Sequence, residues 1–243
     1  MTAALVPDVT HLRDLPAAER NSALAAASAT LEGRSADEIA AWAADAFGTD
    51  LIVAASMQDV VLPHLLAQLI PGVEVLFLET GYHFPETLLT RDVAARSLPI
   101  TVIEALPRQS VAEQDAEYGE KLHDRDPNLC CLLRKVEPLA RSLEGRAAWV
   151  TGVRRVESPT RADAPILSWD DTHDLVKINP LVAWSDEDVE AYQVEHDLPR
   201  NPLVAQGFAS IGCAPCTRRV APGEDPRAGR WSGNDKTECG IHR

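Results

Sequence analysis

The sequence predicts an α/β fold: an open, largely parallel twisted sheet flanked by helices, followed by an irregular C-terminal tail. Three observations carry this. Short, continuous apolar runs recur along the chain, as in strands covered on both faces. Helix-length segments separate those runs, as crossovers between parallel strands require. After Pro202 the periodicity dissolves into Gly, Pro, Cys and Arg.

Residues 11–34 are Ala-rich, with Leu12, Leu15, Leu24 and Leu31 at loosely helical spacing before Gly33. Ser35-Ala36-Asp37-Glu38 reads as a capping box opening a second helix that stops at Gly48. Strands are predicted at 51–55, 73–78, 100–103, 147–150 and 175–178. Helices are predicted at 60–70, 85–96, 111–121, 131–143 and 186–196, the last capped by Ser185. The resulting division is an N-terminal helical segment (1–48), an α/β core (49–204) and a tail (205–243) folding back over the sheet's ligand edge. Ligands on such sheets bind beyond the carboxyl ends of the strands.

A chain of 243 residues can bury a sizeable core. The net charge of −14 argues against nucleic acid or an anionic membrane as the main partner. No apolar run approaches the roughly 18 residues of a membrane span. The N-terminus lacks a basic segment followed by an apolar one, which predicts a cytoplasmic protein. Sixteen of the 23 Lys and Arg residues follow His123, in the half that also holds every cysteine. That half could bind an anion. A homo-oligomer is compatible with the sequence but not dictated by it.

Five cysteines in a reducing compartment are thiols rather than disulfides, and an odd number divides into four ligands and one reactive thiol. Cys213-Ala214-Pro215-Cys216 is a CxxC turn, which suits zinc or an iron–sulfur cluster. Cys130-Cys131 is different. Neighbouring side chains diverge, so one tetrahedral ion holds both awkwardly, whereas a cubane offers each its own iron. Iron–sulfur is therefore favoured over zinc, and buried free thiols are the bland alternative. Cys239, in Glu238-Cys239-Gly240-Ile241-His242-Arg243, has a histidine and an arginine nearby to favour the attacking thiolate. The motif alone fits an incidental terminal thiol equally well.

Other candidates follow the strands. Ser56-Met57-Gln58-Asp59 joins a strand to a helix, where phosphate can be received, although it is no Walker A loop and Asp59 also suits a helix cap. Leu78-Glu79-Thr80-Gly81 ends the second strand and could contact a ribose or base, or simply turn the chain. Arg154, Arg155 and Arg161 follow a third strand, and Arg218, Arg219, Arg227 and Arg230 stud the tail, as a polyanion clamp would require. Arg134 and Lys135 lie within a turn of the tandem cysteines. His83 reads as a structural histidine.

These segments together resemble the sulfonucleotide reductases, most closely the adenosine 5′-phosphosulfate reductases of bacterial and plant type. The matching pieces are Cys130-Cys131-x-x-Arg134-Lys135-x-x-Pro138-Leu139, Thr151-Gly152-x-Arg154-Arg155 and Ile211-Gly212-Cys213-Ala214-Pro215-Cys216-Thr217. Arg227-x-Gly229-Arg230-Trp231 and Lys236-Thr237-Glu238-Cys239-Gly240-x-His242 complete them. The resemblance spans roughly residues 50–243 and does not inform 1–34. It implies an adenine nucleotide α-hydrolase-like fold and assigns the nucleophile to Cys239. It assigns a 4Fe–4S cluster to Cys130, Cys131, Cys213 and Cys216. It also places Ser56, Met57, Gln58, Asp59, Leu78, Glu79, Thr80 and Gly81 around the nucleotide. Lys135, Arg154, Arg161, Arg227, Arg230 and His242 are placed near the phosphosulfate or the tail. The implied reaction is reduction of adenosine 5′-phosphosulfate to sulfite and AMP through a cysteine S-sulfonate, with thioredoxin or a similar dithiol as donor. Relatives acting on the 3′-phosphorylated substrate generally lack the four cluster cysteines. This chain departs from the usual Leu-Asp-Thr-Gly at Glu79, and its first turn is poorer in glycine.

Two rivals remain distinct. ATP-pyrophosphatase relatives use a Ser-Gly-Gly-x-Asp-Ser loop, which is absent around Ser56. A non-catalytic iron–sulfur sensor would keep four ligands but have no need of Cys239.

Overall fold

The computed structural model describes residues 8–232, 236 and 238–241. Its elements begin with α1 (Ala17–Leu31), α2 (Ala36–Phe47), β1 (Leu51–Ala54), α3 (Val61–Ala67), β2 (Val73–Leu78) and α4 (Pro85–Ser97). There follow β3 (Ile100–Ala105), α5 (Val111–Tyr118), α6 (Leu122–Arg125), α7 (Pro127–Cys131) and α8 (Glu137–Leu143). The last are β4 (Ala148–Thr151), β5 (Leu167–Asp170), β6 (Leu175–Ile178), α9 (Asp186–Glu195) and α10 (Pro202–Ala205). The sheet order is β3-β2-β1-β4-β6-β5. All neighbours are parallel except the antiparallel pair β5 and β6. The open, largely parallel sheet matches the sequence expectation.

Alternation along the strands separates two apolar layers. Leu51 and Val53, Val75 and Phe77, Val150 and Ile178 face one side, in a core shared with Leu24, Leu31, Ile39, Leu65 and Leu66 of α1 to α3. Ile52, Leu76, Trp149 and Leu175 face the other, against Leu139 and Leu143 of α8. Coverage on both faces is why the strands read as unbroken apolar runs. Each fully buried Leu or Ile contributes roughly 2 kcal/mol relative to exposure. The N-terminal helices belong to this same core, α1 lying against β5 and α2 against α3. The capping box forms as the sequence predicts: Glu38 N–H donates to Ser35 Oγ, and Ser35 N–H donates to Glu38 Oε2.

Several elements differ from expectation, and the short helices α6 and α10 were not predicted at all. The first helix starts at Ala17, because Pro16 precedes it as its N-cap. The strand β5 was not predicted: Ser168 and Asp170 break the apolar run, and it is ordered by pairing with β6, across a turn with Asp174 at φ 56°, and by packing against α1. The helix predicted over 131–143 begins at Pro127, capped by Asp126, and is interrupted by a wide π turn at Leu132–Val136. Such an extra residue per turn leaves no trace in hydrophobic spacing.

The chain winds outward from β1 to β2 and β3, then in the other direction from β4 to β6. β1 and β4 are direct neighbours. A topological switch point therefore lies between their carboxyl ends, where such sheets open a crevice.

Candidate active site

A cleft of about 220 Å³ lies over that switch point. Its floor comes from the segments after β1 and β4 and from the end of β2, and its far wall from residues 210–212, 227, 230, 231 and the tail.

The segment after β1 is held in a strained form. Met57 is fully buried with φ 60°, a left-handed conformation costly for a side-chain-bearing residue. Asn201 Nδ2 donates to the Met57 carbonyl at 3.0 Å and helps fix it. Gln58 works as a clasp: its Oε1 accepts from Ile211 N–H at 2.8 Å and its Nε2 donates to the Ala209 carbonyl at 3.4 Å. Asp59 accepts from Val61 N–H at 3.1 Å at the start of α3. Burial raises its carboxyl above the usual range, against the pull of that N–H and of Arg154.

After β4, Arg154 donates to Asp186 at 2.7 Å and lies 3.8 Å from Glu157. Its Nη1 is buried without a hydrogen-bond partner among the described residues. Arg155 instead braces Glu32, at 2.7 and 3.0 Å, away from the cleft.

The tail closes the site. Lys236 Nζ donates to the Pro127 carbonyl at 3.1 Å and to Asn128 Oδ1 at 2.9 Å, pinning the tail to the start of α7. Glu238 is gripped by Arg161, through Nε at 3.1 Å and Nη2 at 3.0 Å, and by Arg227 at 3.1 Å. Ile241 packs against the apolar layer that holds Ile52, Leu76 and Trp149. Between them, half-buried Cys239 lines the cleft with Lys135 and Arg230. Burial opposes the charge on Lys135, yet Cys213, Cys239 and Cys131 outweigh it and hold the ammonium above its ordinary value. Burial also lowers the Arg230 guanidinium, with Cys239 among the groups opposing that shift.

The other four cysteines line a separate void beside this cleft, together with Tyr82, His123, Arg134, Lys135, Arg230 and Trp231. Lys135 and Arg230 belong to both walls. The π turn after Cys131 carries Arg134 and Lys135. Arg134 is 3% exposed, with Nε and Nη2 unpartnered among the described residues. Thr80 Oγ1 lies 3.3 Å from Cys213 Sγ. Burial and the neighbouring sulfurs push Cys130 up to about 12. Burial and Cys213 push Cys216 up to about 11. Burial also raises Cys131. Ionising all four would crowd negative charge in a poorly solvated space, so a thiolate set here needs a bound cation. The four sulfurs ring this void. Soft sulfur ligands around a volume, with cations behind them, fit a polynuclear iron–sulfur centre.

Not every predicted residue faces the cleft. Ser56, Gln58, Asp59, Leu78, Lys135, Arg154, Arg161, Arg227, Arg230 and Cys239 do. Met57 points into the core. Glu79 accepts from Gly81 N–H at 2.8 Å and pairs with Arg91 at 3.5 Å, so it stabilises its own turn. Thr80 faces Cys213, and Gly81 supplies a left-handed turn at φ 73° close to Arg134 and Val111. His242 lies outside the described residues. Residue patterns did not single out Glu238 or Glu157, although a carboxylate directly before Cys239 in an arginine-rich half was a readable signal. His83 lines the cleft, with Nε2 donating to the Leu78 carbonyl at 2.8 Å, and burial keeps it below its ordinary value.

Residues 50–219 match the phosphoadenosine phosphosulfate reductase domain. The chain belongs to that family. Adenosine 5′-phosphosulfate reductase of Streptomyces coelicolor is 58% identical over 212 residues, 87% of this chain and 90% of that protein. The protein of that name from Mycolicibacterium smegmatis is 50% identical over 242 residues, covering 100% of this chain and 99% of its own length. Among solved structures, the phosphoadenylyl-sulfate (PAPS) reductase from Candida auris, a phosphate complex, aligns with a TM-score of 0.69 at 28% identity. That alignment covers 81% of this chain and 97% of that one. Yeast FAD synthetase in complex with FAD shares the fold alone, at 13% identity and a TM-score of 0.54, over 76% of this chain and 66% of its own. The family match ends at residue 219, before Cys239, while the Mycolicibacterium smegmatis relative aligns through the tail as well.

Proposed function

We propose that this family member is a cytoplasmic adenosine 5′-phosphosulfate reductase with Cys239 as nucleophile, using thioredoxin or a similar dithiol as reductant. The observation that carries the reading is the placement of the Cys239 thiol in the switch-point cleft, shared with Lys135 and Arg230. The names of the close relatives support the substrate. The core, residues 49–204, would hold the nucleotide, with Ser56, Asp59 and Leu78 along the nucleoside and the phosphosulfate directed at the tail, residues 205–243.

In the first step Cys239 Sγ attacks the sulfate sulfur. The bond from that sulfur to the bridging oxygen breaks, and its electron pair leaves on AMP. Lys135 and Arg230 face the oxygen on which charge develops, where preorganised cations act most strongly. Cys239 then carries the S-sulfonate. A dithiol attacks Cys239 Sγ, sulfite leaves with the bonding pair, and the second thiol of the donor releases Cys239. The donor ends as a disulfide, which balances the two electrons gained by sulfur. Cys130, Cys131, Cys213 and Cys216 would hold a 4Fe–4S cluster. When bound, it supplies a structural tie between α7 and residues 213–216 and an electrostatic influence on Lys135, because the thiol chemistry itself accounts for both electrons.

The test is sulfite release from adenosine 5′-phosphosulfate with reduced thioredoxin. Cys239→Ser should release none, while the wild type without donor should accumulate a sulfonated Cys239 peptide. Anaerobically purified protein should be brown, with about four irons per chain. Unchanged turnover in Cys239→Ser refutes the nucleophile, one zinc per chain refutes the cluster, and preference for the 3′-phosphorylated substrate refutes the substrate.

A further inference from the structure

We infer that Asn201 is the positioning residue that holds the two strand-end segments of the cleft, after β1 and after β2, at the spacing a nucleoside needs. This rests on the function proposed above and adds a residue that does not itself line the cleft.

Asn201 is 2% exposed, and every polar atom of its side chain is used. Oδ1 accepts from Leu203 N–H at 3.1 Å, as the cap of α10. That cap fixes which way the amide points and leaves the two hydrogens of Nδ2 to donate elsewhere. One bond goes to the Met57 carbonyl at 3.0 Å, and the other to Thr87 Oγ1 at 3.3 Å. The first acceptor belongs to the segment after β1 that carries Ser56, Gln58 and Asp59. The second lies in the first turn of α4, the helix that follows the turn from Leu78 to Gly81. One amide therefore ties together segments 144 and 114 positions away in the chain.

The segment after β1 needs such a tie. Met57 is fully buried at φ 60°, a backbone region that a residue with a Cβ keeps only when its surroundings hold it there. Without the Nδ2 donor its buried carbonyl loses that partner, and a rotation of the peptide after Met57 relieves the strain as well. Ser56, Gln58 and Asp59 then shift along the cleft. Thr87 is 1% exposed, so its hydroxyl cannot turn to water in place of the amide. Cys239 belongs to the tail wall of the cleft and keeps its place. The shift weakens nucleotide binding equally in the ground and transition states, which raises KM and spares kcat.

Asn201→Asp tests this, because it keeps the cap oxygen and loses both donors. AMP, which has the nucleoside and phosphate but no sulfate, is the binding probe, and sulfite formation from adenosine 5′-phosphosulfate gives KM and kcat, all on the holoenzyme. We expect AMP affinity to fall about tenfold and KM to rise about tenfold, with kcat within about twofold of wild type. Thr87→Val keeps the side-chain shape and removes one of the two bonds, so it should weaken AMP about threefold. Leu24→Ala, in the core side of α1, is the control: it should lower the melting temperature at least as much and leave AMP affinity unchanged.

Unchanged AMP affinity in folded Asn201→Asp would reduce Asn201 to a helix cap and overturn the inference. A fall of about tenfold in kcat at unchanged KM would also overturn it, and so would an equal loss of AMP affinity in Leu24→Ala. If Asn201→Asp does not fold, Thr87→Val decides alone, and unchanged AMP affinity is then the refuting result. A wild type that binds AMP but makes no sulfite would refute the proposed function instead, and the AMP measurement would still report on Asn201.

Discussion

Adding one methyl group at Gly212 tests whether Arg230 must sit where the fold puts it. Gly212 does not use the left-handed backbone region, so alanine brings no backbone strain there. A Cβ at this position would, however, lie 2.3 Å from Arg230 Nη2, 2.5 Å from Cζ and 3.1 Å from Nε. Optimal heavy-atom contacts lie near 3.5 Å, so the guanidinium must retreat by about 1 Å. Arg230 is the end of a flexible side chain, held by two long hydrogen bonds and by stacking at 4.5 Å on Trp231. It can yield at a stability cost of about 1 kcal/mol, the low end for overpacking. Catalysis should suffer more. A misplacement of about 1 Å costs on the order of 100-fold, roughly 2.7 kcal/mol in the barrier. Gly212→Ala should therefore melt within a few degrees of wild type while kcat for sulfite formation falls about 100-fold. Wild-type kcat in a folded Gly212→Ala protein would refute a catalytic role for Arg230, and a collapse in melting temperature would show that Gly212 is needed for folding instead.

Two further outcomes follow from local structure. The Asp59 carboxyl is raised above its ordinary value of 3.8 by burial, so the folded state holds that proton more tightly than the unfolded chain. This contribution favours folding at low pH and is lost as pH rises through the raised value. Asp59→Asn should accordingly melt higher than wild type at pH 8, with the difference vanishing near pH 3; a lower melting temperature at pH 8 would show the ionised group to be stabilising. Ser35→Ala removes one half of the α2 capping box, far from Cys239 in the chain. It should cost about 1 kcal/mol and leave sulfite formation unchanged, and a reduced kcat would contradict a purely structural N-terminal segment.

Much of the fold was readable because parallel strands covered on both faces must be apolar throughout, and Leu51-Ile52-Val53 and Ala148-Trp149-Val150 are. The helix starts at Ser35, Ser110 and Ser185 all form capping boxes, since a side-chain cap and its partner three residues on are local features. β5 escaped because its order comes from β6 and α1, both distant in the chain or across a turn, and the π turn escaped because it is a change in helix winding rather than in residue pattern. Within the cleft the same division holds. Residue chemistry and motif resemblance singled out the five cysteines and the cations, but not which contacts those cations make.

The sequence by itself determined the materials of this protein: the strand–helix alternation that forces a switch point, the tandem cysteines and CxxC, and a fifth thiol among basic residues. The tertiary structure decided their grouping. It set four cysteines, three of them buried, around one void and Cys239 in the adjoining cleft, with Lys135 and Arg230 forming part of both walls. It turned Glu79 away to Arg91, aimed Thr80 at a cysteine and gave Arg161 to Glu238. The physical reason is range. Strand, cap and motif signals act over a few residues, whereas a carboxylate chooses its arginine across 77 positions of chain only when the sheet has brought them together.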